Sequence, residues 1–169
     1  MNTTLEKLDL DGCLNADSFD GAAWQEMLSQ NTALKELVPK KCEIADGPIG
    51  IQGISDGLAQ NKSLRVLDVS SNGFGPSAIQ SLSVALSHNT TLESLNLACN
   101  DIYNDGAMAI NAMLEANTFL RRINLSHSWI EAEEGLALTA GLTQNNRLES
   151  LDLSHNSIQT ESFRAICLS

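Results

Sequence analysis

The chain repeats itself. Units begin at Asn2, Asn31, Asn61, Asn89, Asn117 and Asn145, and the last, which runs to Ser169, is shorter than the others. Five periods with so little drift specify a solenoid, because one such unit cannot bury its own apolar face and must stack on copies of itself. The best-formed stretch is 89–102, which reads L-x-x-L-x-L-x-x-N-x-I through Leu92, Leu95, Leu97, Asn100 and Ile102. Near-copies lie one unit upstream (Leu64, Leu67, Val69, Asn72, Phe74) and one and two units downstream.

Each unit has two halves. The first carries Leu5/Leu8/Leu10, Leu34/Leu37, Leu64/Leu67/Val69, Leu92/Leu95/Leu97, Leu120/Ile123/Leu125 and Leu148/Leu151/Leu153. The Leu-x-Leu alternation has period two, so these side chains share one face of a strand. A turn position follows, holding Cys13, Cys42, Asn72, Asn100, Ser128 and Asn156. A buried Asn there can bond backbone groups that the turn leaves unpaired. The second half ends in Leu28-x-x-Asn31, Leu58-x-x-Asn61, Leu86-x-x-Asn89, Leu114-x-x-Asn117 and Leu142-x-x-Asn145. Leu is expected as the last inward helical residue, and Asn as a residue that tolerates the left-handed conformation closing a helix. Ile79/Leu82/Leu86, Met108/Ala109/Met113/Leu114 and Leu136/Leu138/Leu142 have helical spacing. Helices are expected near 17–29, 76–87, 104–115, 132–143 and 160–167.

This pattern resembles a leucine-rich repeat of the ribonuclease-inhibitor type, and the resemblance covers essentially the whole chain. It implies one α/β domain over residues 1–169: a right-handed horseshoe arc, with parallel strands on the concave side and helices on the convex side. In that family Cys is a known variant at the turn position. The implied function is protein–protein interaction without catalysis, in enzyme inhibitors, sensor domains and scaffolds of cytoskeletal or GTPase-regulating assemblies.

The second unit departs from its siblings. Pro39 stands where they carry Leu or Val and removes an amide donor, which predicts a short or disrupted strand. Gly47, Gly50, Gly53 and Gly57 fall where a helix belongs. Glycine costs about 1 kcal/mol in a helix interior, which predicts a loose helix near 50–60 in a degenerate repeat. The spacing is not G-x-G-x-x-G and follows no good strand, so it does not read as a phosphate loop.

Composition narrows the function. Aromatics make up 4% of the residues, leaving Leu, Ile, Ala and Val to build uniform layers. A net charge of −11 argues against generic nucleic-acid or anionic-membrane binding. No apolar run is long enough to span a membrane, and Met1-Asn2-Thr3-Thr4 does not open a signal segment. Cys13, Cys42, Cys99 and Cys167 have no paired spacing, which favours cytosolic thiols and a cytoplasmic protein over disulfides or zinc. Asn2, Asn61 and Asn89 lie in N-x-S/T sequons but share one repeat position, so they read as structural.

The register places the charges. Non-leucine strand positions face the concave side of such an arc. There and in the following turns stand Lys7, Lys35, Lys40, Lys41, Arg65, Arg121 and Arg122, against Glu6, Asp9, Asp11, Glu36, Asp68, Glu93, Glu149 and Asp152; Lys62 and Arg147 lie just before strands. The helices and their flanking loops hold thirteen acids against Arg164 alone, so nearly all of the −11 lies on the convex side. An acidic convex side keeps a solenoid soluble, while the mixed-charge concave face suits a partner. One column there runs Asp9, Val38, Asp68, Asn96, Asn124 and Asp152; a second places Arg65, Glu93 and Arg121 near one another. Together with Arg122, His127, Trp129 and His155, the residues from Arg65 onward form the expected partner-binding set.

Candidate chemistry is sparse. His127 and His155 lie one unit apart and should stack on adjacent layers, each preceded by Ser, with Asp152 nearby. No G-x-S-x-G elbow is present, and a straight ladder of Cys99, His127 and His155 does not converge on a metal. No catalytic residue, metal or cofactor is therefore expected. Trp129 is expected to pack under its loop and Trp24 to lie in the core. No polar cap is visible at either end. The expectation is either a piece of a longer array or a subunit whose ends are covered by a partner or by self-association. The function expected is a protein-binding module of unnamed partner; the alternative is a structural component with its end layers covered by neighbours.

Overall fold

Each repeat folds into one short strand and one helix. The computed structural model describes residues 2–13, 20–44 and 50–168. The elements are β1 (Lys7–Asp9), α1 (Gly21–Gln30), β2 (Glu36–Val38), α2 (Gly50–Gln60), β3 (Val66–Asp68), α3 (Pro76–His88), β4 (Ser94–Asn96), α4 (Tyr103–Ala116), β5 (Arg122–Asn124), α5 (Ala132–Gln144), β6 (Ser150–Asp152) and α6 (Thr160–Leu168). The six strands form one parallel sheet in sequence order. Register follows the repeat: Leu67, Leu95, Ile123 and Leu151 are successive partners. The fold is an α/β solenoid with the strands on its concave side. The first part of the helix expected from 17, and Gly47, lie outside the described residues.

The core is a stack of aliphatic layers. Leu64, Leu67 and Val69, then Leu92, Leu95 and Leu97, then Leu120, Ile123 and Leu125 are all buried, facing Ile79, Leu82 and Leu86 of α3 and Ile110, Met113 and Leu114 of α4. Each such side chain contributes about 1.5–3 kcal/mol on burial. In the outer layers Leu8, Leu10, Leu148, Leu151 and Leu153 are only partly buried. Met108, expected on the inward stripe, is instead 59% exposed. It lies two residues from Ile110, hence on the opposite face of α4, and Ala107 takes the inward place.

Two ladders of asparagine tie the layers. In the turns, Asn100 Nδ2 donates to the carbonyls of Val69 (3.2 Å), Leu97 (2.8 Å) and Ala98 (3.5 Å), while its Oδ1 accepts from the amides of Asn72 and Phe74 (both 3.1 Å). Asn72 and Asn156 repeat the pattern in their layers. Cys42 and Ser128 fill the same slot with fewer bonds: the Cys42 thiol donates to the Leu10 and Lys40 carbonyls, and the Ser128 hydroxyl to Ser126.

The second ladder corrects the expectation for the helix ends. Asn31, Asn89, Asn117 and Asn145 are extended, with φ from −74° to −90°, not left-handed. Their side chains make the closing contacts instead. Asn89 Nδ2 donates to the Leu58 carbonyl one layer back (2.7 Å), and its Oδ1 accepts from the amides of Thr91 and Leu92. The left-handed residues are in the strand-to-helix turns: one position recurs in every layer, at Gly12, Lys41, Ser71, Cys99, His127 and His155, and Glu43, Gly73, Tyr103 and Trp129 add a second in the four inner layers.

The second unit is better ordered than its composition suggests. β2 keeps three residues like its siblings and pairs over all three with β1, but over only two with β3, the local disruption expected beside Pro39. Pro39 costs one bond: Leu10, Val69, Leu97 and Leu125 each donate an amide to the next strand's last carbonyl, and Pro39 has none to donate. α2 is a regular helix of 11 residues. Its glycines accommodate α1, which packs against it too closely for side chains at 53 and 57.

Candidate partner-binding surface

Strand side chains that do not enter the core stand in columns on the concave face, one residue from each repeat. The column at the strand ends runs Asp9, Val38, Asp68, Asn96, Asn124 and Asp152. Its carboxylates and amides also hold the chain locally. Asp68 accepts from Ser70 N (3.0 Å), Asn96 from Ala98 N (3.1 Å), Asn124 from Ser126 N (2.9 Å) and Asp152 from Ser154 N (2.9 Å). One oxygen of each thus shapes the turn. Asn96 Nδ2 spends its outward donor on Asp68 Oδ2 at 3.0 Å.

The charged column before the strands is an alternating ladder. Arg65 pairs with Glu93 at 3.0 Å, and Arg121 pairs with Glu149. Arg65, Glu93 and Arg121 lie on adjacent layers as expected, with Glu93 paired to Arg65 and Arg121 paired to the layer beyond it. Lys7–Glu36 (2.6 Å) and Lys40–Asp11 (3.1 Å) bridge the first two layers. These pairs are solvent-exposed and screened by water, so their main effect is to fix side-chain positions. Arg122 shares a face of β5 with Asn124, lies between Ser94 and Ser150, and makes no ion pair among the described residues.

Where the strands turn toward the helices, His127 and His155 stack with ring centroids 4.0 Å apart and planes 11° from parallel. Asp152 lies near both. Hydrogen bonds from the Ser154 backbone amide and hydroxyl, then the two imidazoles, hold its carboxyl below the usual range. Because the folded value is depressed, this contribution to stability is present above the ordinary carboxylate pKa and lost as pH falls through the lowered one. The stacked rings lie in parallel planes, an arrangement that does not aim two nitrogens at one ion. Among the described residues no three His, Cys, Asp or Glu groups gather around a metal position.

Trp129 does not pack under its loop. It is 65% exposed, with φ of +59°, and stacks on Tyr103 at a centroid distance of 6.4 Å and 25° between planes. Its chain neighbours Ser128 and Ile130 are the buried residues of this turn. Trp24 is buried, as expected.

A model of the leucine-rich repeat family matches residues 60–83, 88–110 and 144–167, three of the units described above. These units are leucine-rich repeats. Solved structures with this architecture include the Actin-Binding Site 2 of leiomodin-1 (TM-score 0.76, 17% identity, covering 86% of this chain and 84% of that one). The tropomodulin C-terminal domain of Caenorhabditis elegans superposes with TM-score 0.75 at 12% identity, over 88% of this chain and 90% of that one. TLR13, solved in complex with ssRNA13, matches with TM-score 0.58 and 21% identity over 92% of this chain, which spans 20% of its length. At these identities the likeness is one of fold. Among curated proteins no significantly similar sequence is found.

The solenoid brings the expected residues to two places. Arg65, Asp68, Glu93, Asn96, Arg121, Arg122, Asn124 and Asp152 lie on the concave face; His127, His155 and Trp129 lie on its turn edge. Tyr103 is not among the expected residues. Its signal is in the sequence: three residues past the turn Asn, the sibling units carry Gly75, Glu131 and Gln159, and only this one carries an aromatic. No helix among the described residues is long and apolar enough to cross a membrane.

Proposed function

We propose that this leucine-rich-repeat protein is a non-catalytic binding module whose concave face holds a partner protein. One observation carries the reading: six parallel strands present polar side chains in fixed columns on a face that no described element covers. Its charges are mixed while the helical side is acidic, which favours a partner with its own mixed-charge surface. Arg65, Asp68, Glu93, Arg122 and Asn124 are the central contacts. The similar leiomodin-1 structure is an actin-binding site, which makes actin the first partner to try.

The immobilised protein should capture actin or another protein that mass spectrometry identifies. Arg122→Glu should then weaken that capture about tenfold or more, because it reverses an unpaired charge within the contact. Arg121→Glu should also weaken it, but also breaks the Glu149 pair and is the less clean variant. Capture unchanged by Arg122→Glu would sink the concave-face assignment.

A second reading, a structural component with covered end layers, is favoured by the partly buried Leu148, Leu151 and Leu153 beside β6. A second copy is a poor cover. Continuing the register from β6 to β1 would set Glu149 beside Glu6 and Asp152 beside Asp9, and like charges directly opposite destabilise strand pairing. The isolated chain is therefore expected to sediment as a monomer. A head-to-tail oligomer would overturn this and favour the structural reading.

A further inference from the structure

The Tyr103–Trp129 pair is not part of the concave columns. We propose that it is a second docking surface, built to take an arginine-bearing segment of a partner protein. Both rings are exposed, at 47% for Tyr103 and 65% for Trp129. Both residues hold positive φ, +49° and +59°. The counterparts of Trp129 in two sibling turns, Glu43 (+47°) and Gly73 (+69°), share the conformation, and only this unit fills it with an aromatic. Both rings stay on the surface, where they add nothing to the packing of the core.

The occupant follows from geometry and charge. The rings are stacked rather than splayed, so they present one extended aromatic surface instead of a cage. A planar guanidinium lies flat on such a surface and a compact ammonium does so less well. Asp101, Asp105 and Glu131, each two residues from one of the rings in the chain, are exposed, and the segments 99–106 and 127–134 contain no Lys or Arg. An anionic or purely apolar partner would leave these carboxylates unpaired or repelled. An arginine satisfies ring and carboxylate together, the ring by stacking and the carboxylate by paired N–H donors.

The test uses the full chain and fluorescein-labelled octa-arginine and octalysine peptides, read by anisotropy at moderate salt. Octa-arginine should bind more tightly than octalysine. Trp129→Ala, which leaves the charge unchanged, should weaken octa-arginine binding about fivefold or more and narrow its lead over octalysine. Tyr103→Ala should act in the same direction, and Trp129→Phe should restore part of the loss. Met108→Ala, an equally exposed apolar change on α4, should have no effect. A loss under threefold for Trp129→Ala, or an equal loss for Met108→Ala, would overturn the proposal and assign the binding to net charge alone. Arg122→Glu should not weaken peptide binding, so failure of the concave-face reading and failure of this one give different results.

Discussion

Gly53→Ala is expected to destabilise the protein by about 3 kcal/mol, the upper range for forcing an extra methyl into a packed interior. An exposed helical glycine would behave oppositely, since alanine is favoured in helices by about 1 kcal/mol. Here a Cβ at 53 would overlap the Gly21 carbonyl oxygen and sit 2.5 Å from its carbon. These are backbone atoms of α1 and cannot rotate away. Relief requires α1 to back off from α2, which loosens Trp24 and Leu28 at the same contact face. Gly57→Ala should also destabilise, by somewhat less: its Cβ would meet the Leu28 Cβ at 2.6 Å, an atom held by the α1 backbone, but the overlap is smaller than the one at 53. Urea denaturation of both variants measures this. A midpoint for Gly53→Ala at or above that of the unaltered protein would show that the close helix approach is not needed.

The second large effect is expected for Asn100→Ala, at about 3–4 kcal/mol, because each buried polar group left unsatisfied costs roughly 1–3 kcal/mol and relaxation or water entry returns part of the sum. Two buried amides, of Asn72 and Phe74, lose their acceptor, and the carbonyls of Val69, Leu97 and Ala98 lose a donor. The damage crosses layers, because Asn72 and Val69 belong to the neighbouring repeat. Asn100→Cys should cost about half as much, since a thiol can still donate to nearby carbonyls, as Cys42 does. Native-state hydrogen exchange sharpens the test: Asn72 and Phe74 amides should lose protection first. Equal loss of protection across all layers would show that the ladder acts only through global stability.

Much of the fold is legible in the sequence because a repeat makes each residue report on its counterparts. The period tells which leucines face inward, and the structure buries them in the inner layers, whereas Leu5 at the first strand is exposed. Asn72, Asn100 and Asn156 are readable as turn residues because a buried amide has both donors and an acceptor to offer. The charge asymmetry is likewise readable from register alone. Three readings fail where a local rule meets a neighbouring layer. The α2 glycines look like helix breakers by propensity and are spacers for α1. The helix-end asparagines look like left-handed caps and act through side chains that reach one repeat back. Trp129 looks like a loop-packing residue and lies on the surface against Tyr103.

The sequence by itself determined the architecture: strand, turn and helix recur in every unit, and stacking is the one way such units can bury their leucines. Only the tertiary structure decided who meets whom between layers. Arg121 turns to Glu149, His127 lies on His155, and Tyr103 meets Trp129. The physical reason is distance. Core placement depends on periodicity, which any single repeat carries. Pairing across layers depends on the separation of neighbouring backbones and on rotamers, and those exist only once the layers are stacked.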